Sequence, residues 1–267
     1  MEQWPGRTGV AAAQHGAGMT LRLEVQGAVA RLLIDRADKR NAFTQAMWLA
    51  VPGLVAQAVA DPVVRVIVLQ SASGGLFCAG ADIGEMMANR EDADWLAANQ
   101  AAINAAQYDL TRAAKPTVAF IDGDCIGGGC GLALACDIRV ATPRARLGIT
   151  PAKLGLVYPL HDTKLLVDLV GPGQARRILY TGELLGAEEA LRIGLIEQLA
   201  DDADGLIAAI TANSPFSTAG TKQFVRRVLD GQTAEDAETL ATFAAAFKQA
   251  DFREGASAFL AKRKPQF

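Results

Sequence analysis

An α/β architecture is what this 267-residue sequence predicts, and three features carry the prediction. Apolar strand-like runs over residues 117–121, 137–141 and 146–149 alternate with a helical run over 129–135, the pattern of an α/β protein. Three consecutive glycines, Gly127, Gly128 and Gly129, stand where an apolar strand gives way to an Ala- and Leu-rich helix. Beyond about Gly173 the strand signal fades, and apolar residues recur at helical spacing instead.

In chain order, residues 1–18 are small, polar and aperiodic, without the basic start and apolar run of a signal peptide. They are expected to form a flexible leader with His15 idle, and Met19 is a candidate natural start. Residues 21–26 and 28–35 predict a hairpin around Gly27, followed by a charged loop over 36–43. Thr44 is placed to cap a helix over 44–60. A buried strand over 63–70 leads to a strand end at 77–83, and 91–113 reads as a long helix that Lys115-Pro116 ends. The alternating core closes near residue 203; helices are then expected over 205–212, 215–229, 234–250 and 252–262, after one over 187–193. The division is therefore a leader (1–18), a core (19–203) and a C-terminal helical region (204–267).

Composition excludes several roles. A formal net charge of −3 supplies no basic field for nucleic acid. No apolar run reaches the roughly 18 residues of a membrane span; residues 49–60 are interrupted by Pro52, Gly53 and Gln57. Four cysteines, Cys78, Cys125, Cys130 and Cys136, lie in or beside apolar motifs, and only His15 and His161 accompany them. That spacing holds no metal, so the thiols are expected to be buried, reduced and cytoplasmic.

Two stretches carry chemistry. DGDCIGGGCGLALACDIR, residues 122–139, places glycines where a helix begins, so that free backbone amides and the positive end of the helix dipole can meet a carbonyl oxygen or anion. The plain alternative is a tight turn that needs glycine for its freedom. FCAGADIGEM, residues 77–86, is a second strand end followed by small residues and an acidic helix start. Two such corners are what an oxyanion hole made of backbone requires.

In order and spacing these motifs resemble the enoyl-CoA hydratase/isomerase (crotonase) superfamily. The likeness runs from RADKRNAF to AFLAKRKPQF, nearly all the chain after Met19. It implies a spiral of ββα turns, where periodicity alone leaves a doubly wound sheet open. It also implies a C-terminal helical region that packs between subunits of a homotrimer or hexamer, and an acyl-CoA substrate with no permanently bound cofactor. By the same resemblance the amides of Ala81 and Gly128 hold the thioester oxygen. Arg40, Ala79 and Ala81 lie along the coenzyme A, with Arg40 beside its phosphates. Phe259 and Lys262 match positions that reach the coenzyme of a neighbouring subunit. The plain readings are loop charge for Lys39 and Arg40, a packed aromatic for Phe259 and a surface charge for Lys262.

The family's hydratases use two carboxylates, one as base toward water and one as acid toward the α-carbon. The matching positions here hold Gly131 and Pro151, and neither residue carries a proton. TPAKLGLVY, residues 150–158, is similar to the corresponding part of methylmalonyl-CoA decarboxylase, whose tyrosine matches Tyr158. That enzyme, however, keeps an acidic residue where Gly131 stands and a histidine where Ala81 stands. An oxyanion hole stabilises an enolate however it arises. Loss of CO₂ from a 2-carboxyacyl thioester yields that enolate without a base, and a tyrosine hydroxyl can hold the departing carboxylate. Decarboxylation is the sharpest expectation. Isomerisation or hydration through His161, Asp162 or another carboxylate is the alternative, and a non-catalytic acyl-CoA binder is the third. The plain readings are a rim tyrosine for Tyr158, a helix-flanking His161, a dipole-favoured Asp162 and a solvated Glu85.

Overall fold

The alternation of strands and helices resolves into two sheets joined by a repeated step of the chain. A computed structural model describes residues 20–267; the expected leader, with His15 and Met19, lies outside the described residues. The hairpin forms as expected, β1 (Leu21–Gln26) pairing antiparallel with β2 (Val29–Ile34) around Gly27. Helix α1 (Gln45–Ala60) follows, and the Thr44 hydroxyl accepts from the Met47 amide at 3.4 Å. Next come β3 (Val66–Ser71), β4 (Leu76–Cys78), α2 (Ile83–Ala88) and α3 (Ala93–Arg112). The chain continues through β5 (Thr117–Ile121), β6 (Asp124–Ile126), α4 (Gly128–Ala135), β7 (Ile138–Ala141), β8 (Arg146–Gly148) and α5 (Leu160–Thr181). Then follow β9 (Leu185–Gly186), α6 (Ala187–Arg192), β10 (Gln198–Leu199) and the helices α7 (Asp204–Thr211), α8 (Pro215–Leu229), α9 (Ala237–Ala246) and α10 (Ala250–Leu260).

One sheet has the order β1-β2-β3-β5-β7-β10 and the other β4-β6-β8-β9. The strand pairs β3/β4, β5/β6 and β7/β8 each put their first member in the larger sheet and their second in the smaller, with a helix after each pair. This is the spiral of ββα turns that the resemblance implied. The larger sheet is covered on both faces, which is why β3 shows four consecutive buried residues instead of an alternation. Ile67 and Leu69 join the main core, whereas Val66 and Val68 pack with Ala203 and Ile207 at α7.

Three local expectations are corrected. The strand that hands over to the glycines is β6, in the smaller sheet, and not β5, because Gly123 turns the chain between the two. An alanine Cβ at Gly123 would stand 2.1 Å from the Gly75 carbonyl oxygen, so the starts of β4 and β6 touch backbone to backbone. Asp122 clasps the same point: it accepts from the Gly75 amide at 2.8 Å and pairs with Arg144, whose guanidinium holds the carboxyl down at about 2. Second, the helical pattern read as starting after about Gly173 opens inside α5, which starts at Leu160 beside His161 and Asp162 and runs on through a break at Gly171 (φ 72°) before Pro172. Third, the helix expected over 234–250 is shorter, since a capping box of Asp236 and Thr239 starts it at Ala237.

Candidate active site

The two motif corners meet. An alanine Cβ at Gly80 would lie 3.2 Å from the Gly128 amide nitrogen, and one at Gly128 would lie 3.4 Å from the Ala81 nitrogen. The loop before α1 fixes the first corner. Phe43 donates its amide to the Gly80 carbonyl and accepts from the Asp82 amide, each at 2.8 Å, so Ala81 between them is skipped. The Ala79 amide is bound to the Arg40 carbonyl at 3.0 Å. Asn41, fully buried, donates to the Phe77 carbonyl and the Ser71 hydroxyl, and the Cys78 thiol reaches the Asn41 carbonyl at 3.0 Å. Burial pushes that thiol up to about 12. Asp82 caps α2 and is held below the usual carboxylate range, chiefly by Arg36 at 2.8 Å.

The second corner is the start of α4, and its three glycines serve three different needs. Gly127 has φ 55° and ψ −116°, a conformation closed to residues with a Cβ. A Cβ on Gly129 would stand 2.5 Å from the Cys78 carbonyl oxygen, so α4 lies directly on β4. At Gly128 the backbone is ordinary, and the space for a Cβ is bounded by Trp48 at 3.2 Å and the Ala81 amide. At the far end of α4, buried Arg139 donates to the carbonyls of Ala133 and Cys136 at 3.3 and 2.8 Å and pairs with Glu197. A cation at the C-terminus leaves the opposite, amide-rich end for an anion. Neither the Ala81 nor the Gly128 N–H is bonded to a protein acceptor among the described residues. Two adjacent free N–H groups can hold one developing oxyanion.

Other predicted residues separate into those brought to this corner and those left outside. Tyr158 is brought in: its partly buried hydroxyl donates to the Gly127 carbonyl at 3.3 Å. Burial, with Asp162 nearby, holds that hydroxyl well above the ordinary tyrosine range. Asp162 comes with it. It stands in the first turn of α5, as a dipole-favoured charge would, yet is only 1% exposed and accepts from the Gln107 amide at 2.6 Å. His161 lies beside it, with its Nε2 buried and without a hydrogen-bond partner among the described residues. Arg40 is largely exposed and shares Asp124 with Arg146, both at 2.8 Å. Phe259 and Lys262 lie on and just after α10; Phe259 is 82% exposed, and no hydrogen bond or ion pair joins either side chain to the corner. Glu85 corrects its expectation. It accepts from the Gln45 amide at 2.8 Å and so supports the start of α1 instead of standing in solvent.

Two residues at the site escaped the sequence reading. Trp48, fully buried and packed at a tilt of 46° against Phe43 with ring centroids 4.6 Å apart, walls the Gly128 corner. Gln107 is also fully buried; its signal was a polar residue inside the apolar stripe Ala102, Ala106, Leu110 of α3. The expectation of buried thiols holds for all four cysteines, which are free. No group of metal-binding side chains occurs among the described residues, and no helix there is long and apolar enough to cross a membrane.

Spiral, paired amide corners and C-terminal helices together define the crotonase class of architecture. The chain belongs to the enoyl-CoA hydratase/isomerase family, whose model matches residues 24–267. It is similar to a crotonyl-CoA hydratase from Syntrophomonas wolfei, with 31% identity over 92% of this chain and 96% of that one. A short-chain-enoyl-CoA hydratase from Clostridium acetobutylicum is 31% identical over 91% and 95% of the two chains. Among solved structures, an enoyl-CoA hydratase/isomerase family protein from Hyphomonas neptunium superposes with a TM-score of 0.88. The two share 40% identity, covering 93% of this chain and 97% of that one. An acyl-CoA-processing enzyme of this family is thus established at the level of class.

Proposed function

We propose that the enzyme holds an acyl-CoA thioester oxygen between the Ala81 and Gly128 amides and converts a 2-carboxyacyl-CoA to the acyl-CoA by loss of CO₂. One observation carries the reading: two free, adjacent amides, that of Gly128 at the N-terminus of α4 and that of Ala81 opposite it, stand beside a tyrosine hydroxyl, while position 131 has no side chain. The amides lower the energy of the enolate as the C–C bond breaks, and the helix dipole adds to them. Tyr158 holds the carboxylate out of the thioester plane, so that its electrons flow into the carbonyl. No base is needed for that step. Incubation with malonyl-, methylmalonyl- and ethylmalonyl-CoA, followed by mass spectrometry, should show the loss of CO₂ from at least one of them, with rate lost in Tyr158→Phe. Tight binding of all three without turnover would favour the non-catalytic binder instead.

A second reading, hydration, is favoured by the hydratase names of the relatives. It requires a carboxylate from outside positions 131 and 151.

The same proposal extends to the coenzyme and the assembly. Arg40 is the cation for the coenzyme phosphates; Phe259 and Lys262 serve the coenzyme of a neighbouring subunit. The apolar surface of the C-terminal helices supports a homotrimer or hexamer: Phe243, Phe247, Phe252, Phe259 and Leu260 are all exposed, and the first three stack edge to face. Sedimentation at micromolar concentration should give a trimer or larger species; a monomer would remove the role assigned to Lys262.

A further inference from the structure

A buried acid lies against the amide corner, and the decarboxylation described above does not use it. The Asp162 Oδ1 and the Gln107 Nε2 both stand 2.4 Å from where a Cβ of residue 131 would be, and the Tyr158 hydroxyl stands 3.2 Å from it. Side chains from α3, from α5 and from the turn before α5 therefore converge on the space that an ordinary residue at 131 would fill. Gly131 is what admits them. The Tyr158 hydroxyl in turn meets the Gly127 carbonyl, one residue before the Gly128 amide. The buried carboxyl and the tyrosine hydroxyl thus flank one space, and the hydroxyl reaches from it to the corner.

The state of that carboxyl follows from its surroundings. Asp162 is 1% exposed, its Oδ1 accepts from Gln107, and its Oδ2 has no hydrogen-bond partner among the described residues. A buried carboxylate satisfied on one side only favours its neutral form. Burial pushes its pKa upward, against the Gln107 bond that pulls it down. Tyr158 stays neutral for the same reason, since burial disfavours the phenolate.

We propose that Asp162 is the proton store of this site and acts on the substrate through Tyr158, which delivers the proton to the α-carbon of the thioester enolate. The inference rests on reading the corner as an enolate site, but not on CO₂ loss, because every reaction through that enolate ends with a proton on carbon. The electron pair of the enolate forms the new C–H bond with the tyrosine proton, and the tyrosine O–H bond breaks. The resulting phenolate takes the proton of the neutral carboxyl, and the carboxylate left behind recovers one from water. Run backwards, the carboxylate accepts the tyrosine proton while the phenolate removes an α-proton. Tyr158 is the group that touches substrate; Asp162 is a positioning residue that acts through it.

The backward direction supplies the test. The full-length protein is incubated with butanoyl-CoA in D₂O, α-deuterium incorporation is followed by mass spectrometry, and butanoyl-CoA affinity is measured by calorimetry. The wild type should incorporate deuterium. Asp162→Asn keeps the size of the side chain and should lose about 10²-fold or more of the exchange rate at unchanged affinity, the scale of a general acid–base group. Tyr158→Phe should lose as much, and the double variant no more than either, because the two act as one unit. Wild-type exchange in Asp162→Asn overturns the proposal. So does wild-type exchange in Tyr158→Phe, a variant that leaves the Asp162–Gln107 bond intact and decides the matter even if Asp162→Asn does not fold. Binding of butanoyl-CoA without exchange by the wild type sinks the proton store alone, whereas no binding at all sinks the enolate reading beneath it. Exchange without CO₂ release from any 2-carboxyacyl-CoA removes only decarboxylation.

Discussion

Gly128→Ala is expected to fold and assemble like the wild type and to lose about 10²–10³-fold in turnover, the effect of removing one oxyanion donor. The structure separates this glycine from its neighbours. Gly127 needs its positive φ and Gly129 lies against the Cys78 carbonyl, so alanine at either would strain the backbone or push α4 off β4. Gly128 does neither. Its φ is not positive, and the added methyl meets the edge of the Trp48 ring at 3.2 Å and the Ala81 nitrogen at 3.4 Å. A side-chain edge can give by a few tenths of an ångström, whereas the amide cannot move without breaking the paired bonds of Phe43 to Gly80 and Asp82. The methyl therefore stands beside the N–H that we assign to the thioester oxygen. The effect should fall on kcat, because the bond strengthens as negative charge develops on that oxygen. Steady-state kinetics with whichever acyl-CoA reacts, together with a thermal melt and sedimentation, make the check. An unchanged kcat would remove the oxyanion assignment; a lost melt would mean that the corner is structural first.

Much of the frame around this corner is legible in the sequence. Thr44, the Gly27 hairpin and the strand at β5 each follow from local chemistry that tertiary packing did not override. The pairing of Ala81 with Gly128 was legible only through resemblance, since no periodicity says that two strand ends 47 residues apart meet. β6 escaped because three residues between Gly123 and Gly127 are too few to show a period. The start of α5 follows from His161 and Asp162, but its length escaped, because nothing local shows that the chain passes through Gly171 and Pro172 and resumes as helix. The burial of Asp162 escaped for a different reason. A charge in the first turn of a helix has a sufficient explanation in the dipole, and nothing local shows that Gly131, 31 residues earlier, has left room for it in the core.

That same crowding sets the expected result for hydration. Crotonyl-CoA hydration should be slower by several orders of magnitude than that of a true hydratase assayed alongside, because general acid and base groups supply roughly 10²–10⁴-fold each and Gly131 and Pro151 carry neither. Restoring one carboxyl should not repair this. A Cβ at 131 would stand 2.4 Å from both Asp162 Oδ1 and Gln107 Nε2, and both are buried side chains bonded to each other at 2.6 Å. Gly131→Glu must therefore push them apart, an overpacking that typically lowers stability by about 1–3 kcal/mol. The new carboxyl would also face that of Asp162, and two acids in one buried space cannot both ionise. One of the pair stays protonated, and the base that water activation needs does not appear on the Pro151 side. The expected outcome is a lower melting temperature with no gain in hydration, followed by the loss of absorbance of crotonyl-CoA. Wild-type hydration at the rate of the reference hydratase would show that Asp162 or another carboxylate already serves as the missing pair. A tenfold gain in Gly131→Glu would show instead that Asp162 and Gln107 yield easily, and the convergence of three side chains on Gly131 would lose its meaning.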